Sequence, residues 1–216
     1  FDNDYLGDYE LVEQSSASWL GMNRFYVNYK LEGLHFKPTD TARFGNKFSD
    51  EDLPQDLLDY YSYANEVDKA INLIVSNLTA SNQLQRTVVV IASTGHPEYI
   101  EDSFIRQYSS GREGLMINRV PFVIWGGLED VEIDEVMGSS NVAATLVNMF
   151  DFRGDLDYVS KDVFSSGENV ATLNNRSWIS NAGFYDANTQ TFTESDVIYL
   201  TDYLDEYIIN VNKKVY

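Results

Sequence analysis

His35 and His96 are the two imidazoles of this chain, and an imidazole can transfer a proton near neutral pH or bind a metal. His96 ends the stretch TVVVIASTGHP (87–97), in which apolar β-forming residues lead into a turn of small residues. His35 lies in the loop EGLHFKP, after the strand-like run RFYVNYKL (24–31). Because catalytic groups concentrate where buried parallel strands end, these positions predict that both histidines lie at one functional edge.

A long helix between the two predicted strands would bring the histidines together. Residues 49–82 carry apolar side chains at spacings of three and four, as in a helix with one buried face: Tyr60, Ala64, Val67, Ile71, Ile74 and Leu78. A strand, a helix and a second strand form a right-handed crossover between parallel strands. The sequence therefore predicts an α/β fold with a mostly parallel sheet flanked by helices.

The other segments complete this domain. We expect a helix over 8–20, a buried strand over 120–125, and a helix capped by Asn141 with Phe150 toward the sheet. Short antiparallel strands are expected at 170–173, 177–180 and 183–186, and a terminal helix at 193–207, opening on a capping-box pattern. We expect one domain over 1–216, with an α/β core over 1–152 and a C-terminal β subregion plus helix over 153–216.

Composition narrows the class of partner and compartment. The 216 residues include 34 acidic and 15 basic side chains, for a net charge of -19. Nucleic acid is therefore not expected as a partner, because phosphate contacts need basic side chains. The chain has no cysteine, so no disulfide is expected. No run of 18 apolar residues and no positively charged leader is seen in this sequence.

The order of motifs resembles the C-terminal half of the lipoteichoic acid synthase branch of the alkaline phosphatase and sulfatase superfamily. That branch has a TLSGHHP-type loop, a YxxxxxxxDxAI helix, a GDHG turn, a VPLIIY-type strand and a DIAPTLLNLFG helix. This chain has YKLEGLHFKP, YYSYANEVDKAI (60–71), VVVIASTGHP, RVPFVIWGG (119–127) and NVAATLVNMFDF (141–152). The stretch SWISNAGFYDANTQTF (177–192) is similar to the closing hairpin of that family.

The resemblance implies roles for particular residues. His96 matches a ligand of a divalent metal, Mn²⁺ or Mg²⁺, and His35 matches a loop that contacts the phosphoglycerol head group. Arg112 is the cation expected to grip the phosphate, with Arg119 as its alternative. The simpler interpretations stay open: a histidine at a strand end can bond the backbone, and an arginine can pair with one of the carboxylates.

Two departures from the family pattern weigh against catalysis by this chain alone. Gly95 stands where the family has the aspartate of its Asp-His pair, and hard cations depend on such carboxylates. Glu98, Glu101 and Asp102 are the nearby acids that could replace it. The family also places its nucleophile in an N-terminal half that has no counterpart here, so we expect a fragment or a domain without covalent chemistry.

Three hypotheses follow. The chain is a non-catalytic sulfatase-like domain that binds an anionic envelope component such as glycerophosphate, or it is part of an active phosphoglycerol transferase, phosphatase or sulfatase. The third hypothesis is an unrelated α/β scaffold. The family resemblance further implies an extracellular or cell-surface location in a membrane-anchored bacterial protein, with the missing N-terminal half or a second copy as a partner.

Overall fold

A computed structural model describes residues 7–31, 52–93, 95, 99–108, 120–126, 133, 136–152, 161–165, 169–173 and 175–194, and the structural statements below concern these residues. The chain divides into two compact units, each described here by itself. The first comprises Phe1–Val88 and Pro97–Ser109, and the second Val89–His96 and Ser110–Tyr216. The predicted boundary at residue 152 stays a prediction.

The first unit is helical. It contains α1 (Asp8–Ser16), α2 (Gln55–Ala80), a 3-10 turn (Leu84–Arg86) and α3 (Asp102–Tyr108). The long helix predicted over 49–82 is confirmed over Gln55–Ala80, with Pro54 immediately before the first turn, where proline is tolerated. Helices α1 and α2 pack against each other.

The buried side of α2 differs from the predicted apolar stripe. Its most buried residues are Leu57, Ser62, Glu66, Ala70 and Leu78, whereas the predicted positions other than Leu78 are half-buried. Glu66 is 5% exposed, and its Oε1 accepts a hydrogen bond of 3.1 Å from the backbone N–H of Tyr9. Helix α1 has no side-chain cap of its own, so a carboxylate from α2 occupies that role.

The strand predicted at 24–31 is not formed in the described structure. The backbone there is irregular, and Tyr26 is 74% exposed. The segment is attached by its side chains: the Tyr29 hydroxyl accepts a 2.8 Å hydrogen bond from Trp19 Nε1 and lies 2.7 Å from Ser15 Oγ. β-Forming residues favour an extended chain, but a strand also needs a paired neighbour. The predicted parallel crossover therefore has no first strand among the described residues.

The second unit begins with an antiparallel pair of strands. Strand β1 (Val89–Ala92) pairs with β2 (Phe122–Trp125), so that Ala92 faces Phe122. The two strands were predicted correctly, but their direction is the reverse of the parallel arrangement expected. A short apolar run reports burial and carries no information on strand direction. A mostly parallel sheet is therefore not shown, while a mixture of helices and sheets is.

A second sheet follows helix α4 (Ser140–Met149). Its four antiparallel strands lie in the order in which they occur in the chain: β3 (Val170–Thr172), β4 (Trp178–Ser180), β5 (Gly183–Asp186) and β6 (Thr191–Glu194). The predicted C-terminal antiparallel element is thus confirmed, and it has one more strand than expected. Thr193 and Glu194 pair with Phe184 and Gly183, so a helix beginning at Thr193 is wrong; residues 195–207 lie outside the described part.

Asn141 has a different role from the predicted cap. Its Oδ1 accepts from the Gly138 N–H at 2.8 Å, and its Nδ2 donates to Lys161 O at 2.8 Å and to Asn169 Oδ1 at 3.0 Å. It therefore lies inside the first turn of α4 and joins three segments of the unit. Phe150, predicted to face the sheet, is 46% exposed, because α4 buries Asn141, Ala144 and Thr145 instead.

Candidate functional site

The end of β1 carries the predicted Asp-His position of the family. Beyond Ala92, the Ser93 hydroxyl donates a 3.0 Å hydrogen bond to the carbonyl of Gly95. This bond closes a short turn at the strand end, in which Gly95 is exposed. The turn thus presents a backbone carbonyl and a hydroxyl where the resembling family presents a carboxylate.

Steric crowding does not account for glycine at this position. A Cβ built on Gly95 would meet no atom of the described residues within 4 Å, its chain neighbours aside. A side chain at this position would therefore meet no obstacle at its Cβ among the described residues. Of this turn the structure describes Ser93 and Gly95, and neither carries an acidic side chain, the kind of ligand that hard divalent cations prefer.

The antiparallel pairing determines which part of β2 lies beside this turn. The Ser93 N–H donates to Pro121 O at 3.2 Å, so the start of β2 lies next to the end of β1. Trp125 faces Val89 at the opposite end of the pair and is 42% exposed. Ser93, Gly95 and Pro121 thus lie at one end of the strand pair, and Trp125 lies at the other.

His35, His96 and Arg112 lie outside the described residues, and so do Arg119 and Glu98. The expectation that the two histidines share an edge stays a prediction. Glu101 is described and lies exposed immediately before α3. Across the described ranges, no group of three or more histidine, aspartate or glutamate side chains could hold a metal ion.

The first unit contains a polar group whose environment the sequence did not indicate. The Tyr99 hydroxyl is buried and has no hydrogen-bond partner. Burial raises the pKa of Tyr99 far above its usual value, and the neighbouring Tyr60, Tyr63, Asp59 and Asp56 raise it further. This phenol is therefore held neutral. No periodic signal in the sequence reveals a buried hydroxyl that lacks a partner.

Comparison with solved structures gives a match to a lipoteichoic acid synthase. The crystal structure of the lipoteichoic acid synthase LtaP from Listeria monocytogenes matches with a TM-score of 0.53 and 21% sequence identity, over 75% of this chain and 49% of that one. At this level of identity the likeness shows a related fold and no more. The matched region spans about half the length of LtaP.

Sequence comparisons give no match. No family model matches the chain, and a search of curated proteins found no match either. In the described part of the chain, every helix is too short or too polar to cross a bilayer. The structural relationship to lipoteichoic acid synthases thus depends on the fold, together with the motif order in the sequence.

Proposed function

We propose that this chain is a lipoteichoic acid synthase-like, sulfatase-type domain of the bacterial cell envelope that binds an anionic envelope component and does not catalyse transfer by itself. Its fold is related to that of LtaP, and five motifs follow the family order. The observation that carries the proposal is Gly95, beyond the end of β1, which has no carboxylate although a Cβ there would meet no atom of the described residues within 4 Å. The location proposed is extracellular or at the cell surface, in a membrane-anchored parent.

The ligand preference of Mn²⁺ and Mg²⁺ explains why the loss of one carboxylate should strongly lower the affinity for the cation. Mn²⁺ and Mg²⁺ are held by anionic oxygen ligands, and affinity depends on how many carboxylates surround the ion. In this proposal His96 keeps the position of a metal ligand without its acidic neighbour. We therefore expect the chain to bind divalent cations weakly or not at all. A cofactor that does bind is expected to be Mn²⁺ or Mg²⁺.

An anionic ligand requires local positive charge, because the chain as a whole carries a net charge of -19. The proposed contacts are His35 and Arg112 with a phosphate such as that of glycerophosphate. Arg119, which precedes Pro121 by two residues in the sequence, is the alternative cation.

A calorimetric titration with Mn²⁺ and Mg²⁺ tests the missing ligand. The parent chain is compared with Gly95→Asp and with Gly95→Asn, a neutral control of the same size. We expect Gly95→Asp to bind Mn²⁺ at least about tenfold more tightly than the parent. Adding His96→Ala to Gly95→Asp should abolish that gain in affinity. If the parent already binds Mn²⁺ as tightly as Gly95→Asp, through His96, the non-catalytic proposal is wrong.

A second titration tests the anion. Glycerol phosphate is added to the parent, to Arg112→Ala, to His35→Ala, and to Arg176→Ala as a control in the exposed β3–β4 turn. The proposal expects binding that Arg112→Ala and His35→Ala weaken and Arg176→Ala leaves unchanged. Equal affinity in all four proteins would argue for non-specific attraction.

Partial coverage of LtaP favours a second candidate function. Since the match spans 49% of that chain, this sequence can be the metal-binding part of an active transferase, phosphatase or sulfatase, completed by an N-terminal half. A longer chain with the preceding sequence would then hydrolyse a phosphate ester in Mn²⁺, and His96→Ala would abolish the activity. The absence of turnover in such a chain would favour the binding domain.

A further inference from the structure

Two stretches of the first unit contain no acidic residue. The chain has 34 acidic side chains among its 216 residues, yet residues 14–31 and 69–88 contain none. The same stretches carry basic side chains: Arg24, Lys30, Lys69 and Arg86. A chain with a net charge of -19 therefore separates its charges along the sequence, and these two stretches are locally positive.

Hydrogen bonds bring the two stretches together in space. Asn77 of α2 donates to Ser16 Oγ at 3.2 Å. Beyond α2, the side-chain amide of Gln83 bonds the backbone of residues 21–22 through its oxygen and its nitrogen, and the Arg86 N–H donates to the Gln83 carbonyl at 3.1 Å. We name the surface that the two stretches form the basic surface.

Part of the basic surface exposes apolar and aromatic side chains to solvent. Tyr26 is 74% exposed, Met22 51% and Val27 36%. The backbone that carries them is anchored from its other side, because the ring of Phe25 packs on that of Trp19 with centroids 5.1 Å apart. Side chains of this kind that stay exposed within one short segment are typical of a surface that binds a partner.

We infer that the basic surface binds an anionic lipid surface. The negative surface potential of such a membrane attracts the exposed guanidinium groups of Arg24 and Arg86. Tyrosine is enriched where lipid meets water, and Met22 and Val27 lose exposed apolar area when they enter the head-group region. A soluble polyanion would pair with the guanidinium groups but would leave these apolar side chains in water.

The net charge of -19 is a poor guide to this contact. All 34 acidic side chains lie outside the two stretches. Exposed charges more than about 8 Å apart are largely screened at physiological ionic strength, so the local charge of the basic surface decides its attraction to a membrane. This inference does not depend on the proposed function.

Vesicle sedimentation tests the role of charge. The full chain is mixed with vesicles of phosphatidylcholine and phosphatidylserine in equal parts, and with vesicles of phosphatidylcholine alone. We expect binding to the mixed vesicles that added salt weakens. Arg24→Ala combined with Arg86→Ala should lower the affinity about 25-fold, since each basic side chain at an anionic surface contributes about fivefold.

A matched control removes the same charge from the second unit. Lys161→Ala combined with Arg176→Ala, both at exposed positions, should change the affinity by less than about twofold. Arg112→Ala, which removes the cation of the proposed anion site, should leave vesicle binding unchanged, so this inference and the proposed function can fail separately. Circular dichroism should give the same spectrum for every variant.

A fluorescent label tests the role of the apolar side chains. The chain has no cysteine, so Tyr26→Cys can be labelled at one site with a polarity-sensitive fluorophore. Its emission should shift to shorter wavelength with the mixed vesicles, because the label enters the membrane interface. Asn188→Cys, at an exposed position between β5 and β6, is the matched control and should show no shift.

Several outcomes would overturn the inference. The absence of binding to the mixed vesicles, or equal binding to neutral ones, would show that no anionic lipid surface is recognised. Equal losses in the two double variants would show a general effect of charge. Binding of inorganic polyphosphate that depends on Arg24 and Arg86, with no shift of the Tyr26→Cys label on vesicles, would show that a soluble polyanion is the partner.

Discussion

Gln83 offers the sharpest test of how the first unit is held together. Gln83 is 1% exposed. The oxygen and the nitrogen of its side-chain amide both form hydrogen bonds with the loop that follows α1. Oε1 accepts from the Gly21 N–H and Nε2 donates to the Met22 carbonyl, each at 2.9 Å. Gln83 also lies three residues beyond the end of α2. Its backbone N–H donates a 2.8 Å hydrogen bond to the carbonyl of Leu78, in the last turn of that helix.

Gln83→Glu changes one atom of this arrangement. The carboxylate keeps an oxygen for Gly21 but places a second oxygen against the Met22 carbonyl, where the donor had been. The loss of one hydrogen bond costs about 1 kcal/mol, and a buried charged group facing an acceptor costs a further 1–3 kcal/mol, roughly. We expect the free energy of unfolding to fall by about 2–4 kcal/mol at pH 7 relative to the parent.

The sign of the pH dependence distinguishes this cause from a simple loss of packing. Burial beside a carbonyl raises the pKa of the new carboxyl in the folded state above about 4.3, the value for glutamate in an unfolded chain. The destabilisation is therefore present at neutral pH and shrinks as the pH falls toward about 4. The protonated carboxyl can then donate to Met22 O.

Urea unfolding followed by tryptophan fluorescence at pH 7 and at pH 4.5 measures the effect against the parent at each pH. Gln83→Met is the matched control: it has a similar shape, loses both hydrogen bonds, and should cost about 2 kcal/mol at either pH. A Gln83→Glu protein as stable as the parent at pH 7, or one whose deficit does not change with pH, would refute the reasoning.

Substitutions at three further residues test other contacts of the first unit, each by urea unfolding. Glu66→Gln keeps an oxygen for the Tyr9 N–H and should lower the free energy of unfolding by less than about 1 kcal/mol. Glu66→Ala leaves the first turn of α1 without this acceptor and should lower the free energy of unfolding by about 2 kcal/mol or more. Equal losses would show that the cap is unimportant. Asn82 has a φ of 55°, so Asn82→Ala should cost about 1 kcal/mol and Asn82→Gly almost nothing; the reverse order would contradict this. Tyr99→Phe removes an unpartnered hydroxyl and should raise the free energy of unfolding by about 1 kcal/mol. The gain should grow above about pH 10, because the pKa of Tyr99 is raised in the folded parent, which therefore loses stability as the tyrosine of the unfolded chain ionises. A gain that does not change with pH would exclude that origin.

Elements with strong local signals could be predicted from the sequence. The spacing in α2 and the apolar runs of β1 and β2 placed these elements correctly, because periodicity and propensity are local properties. The buried side of α2 was missed, since Ser62 and Glu66 are buried with partners that only the tertiary structure supplies. Glu66 reads as a surface residue until the N-terminus of α1 is placed beside it.

Longer-range features were less accessible. The relative direction of two strands depends on the path of the chain that connects them, which an apolar run does not encode. Residues 24–31 have strand propensity, but no strand of the described structure pairs with them. The last two residues of β6, Thr193 and Glu194, were assigned to a helix because they open a capping-box pattern, but their pairing with β5 outweighed that local preference. At the candidate site the sequence identified Gly95, but the neighbourhood of Pro121 followed only from the antiparallel register.

The attachment of α1 has a consequence for how this part of the chain opens. Glu66 and Asn77 of α2 hold it through Tyr9 and Ser16, and Gln83, beyond the end of α2, holds the loop that follows α1 through Gly21; these partners are 57 to 62 positions apart. Since α2 provides the anchors of α1 itself, the amide protons of α1 should exchange with solvent as one cooperative group, released together when it leaves α2. Insertions between the two helices should be tolerated, since the entropy of closing a loop grows only logarithmically with its length.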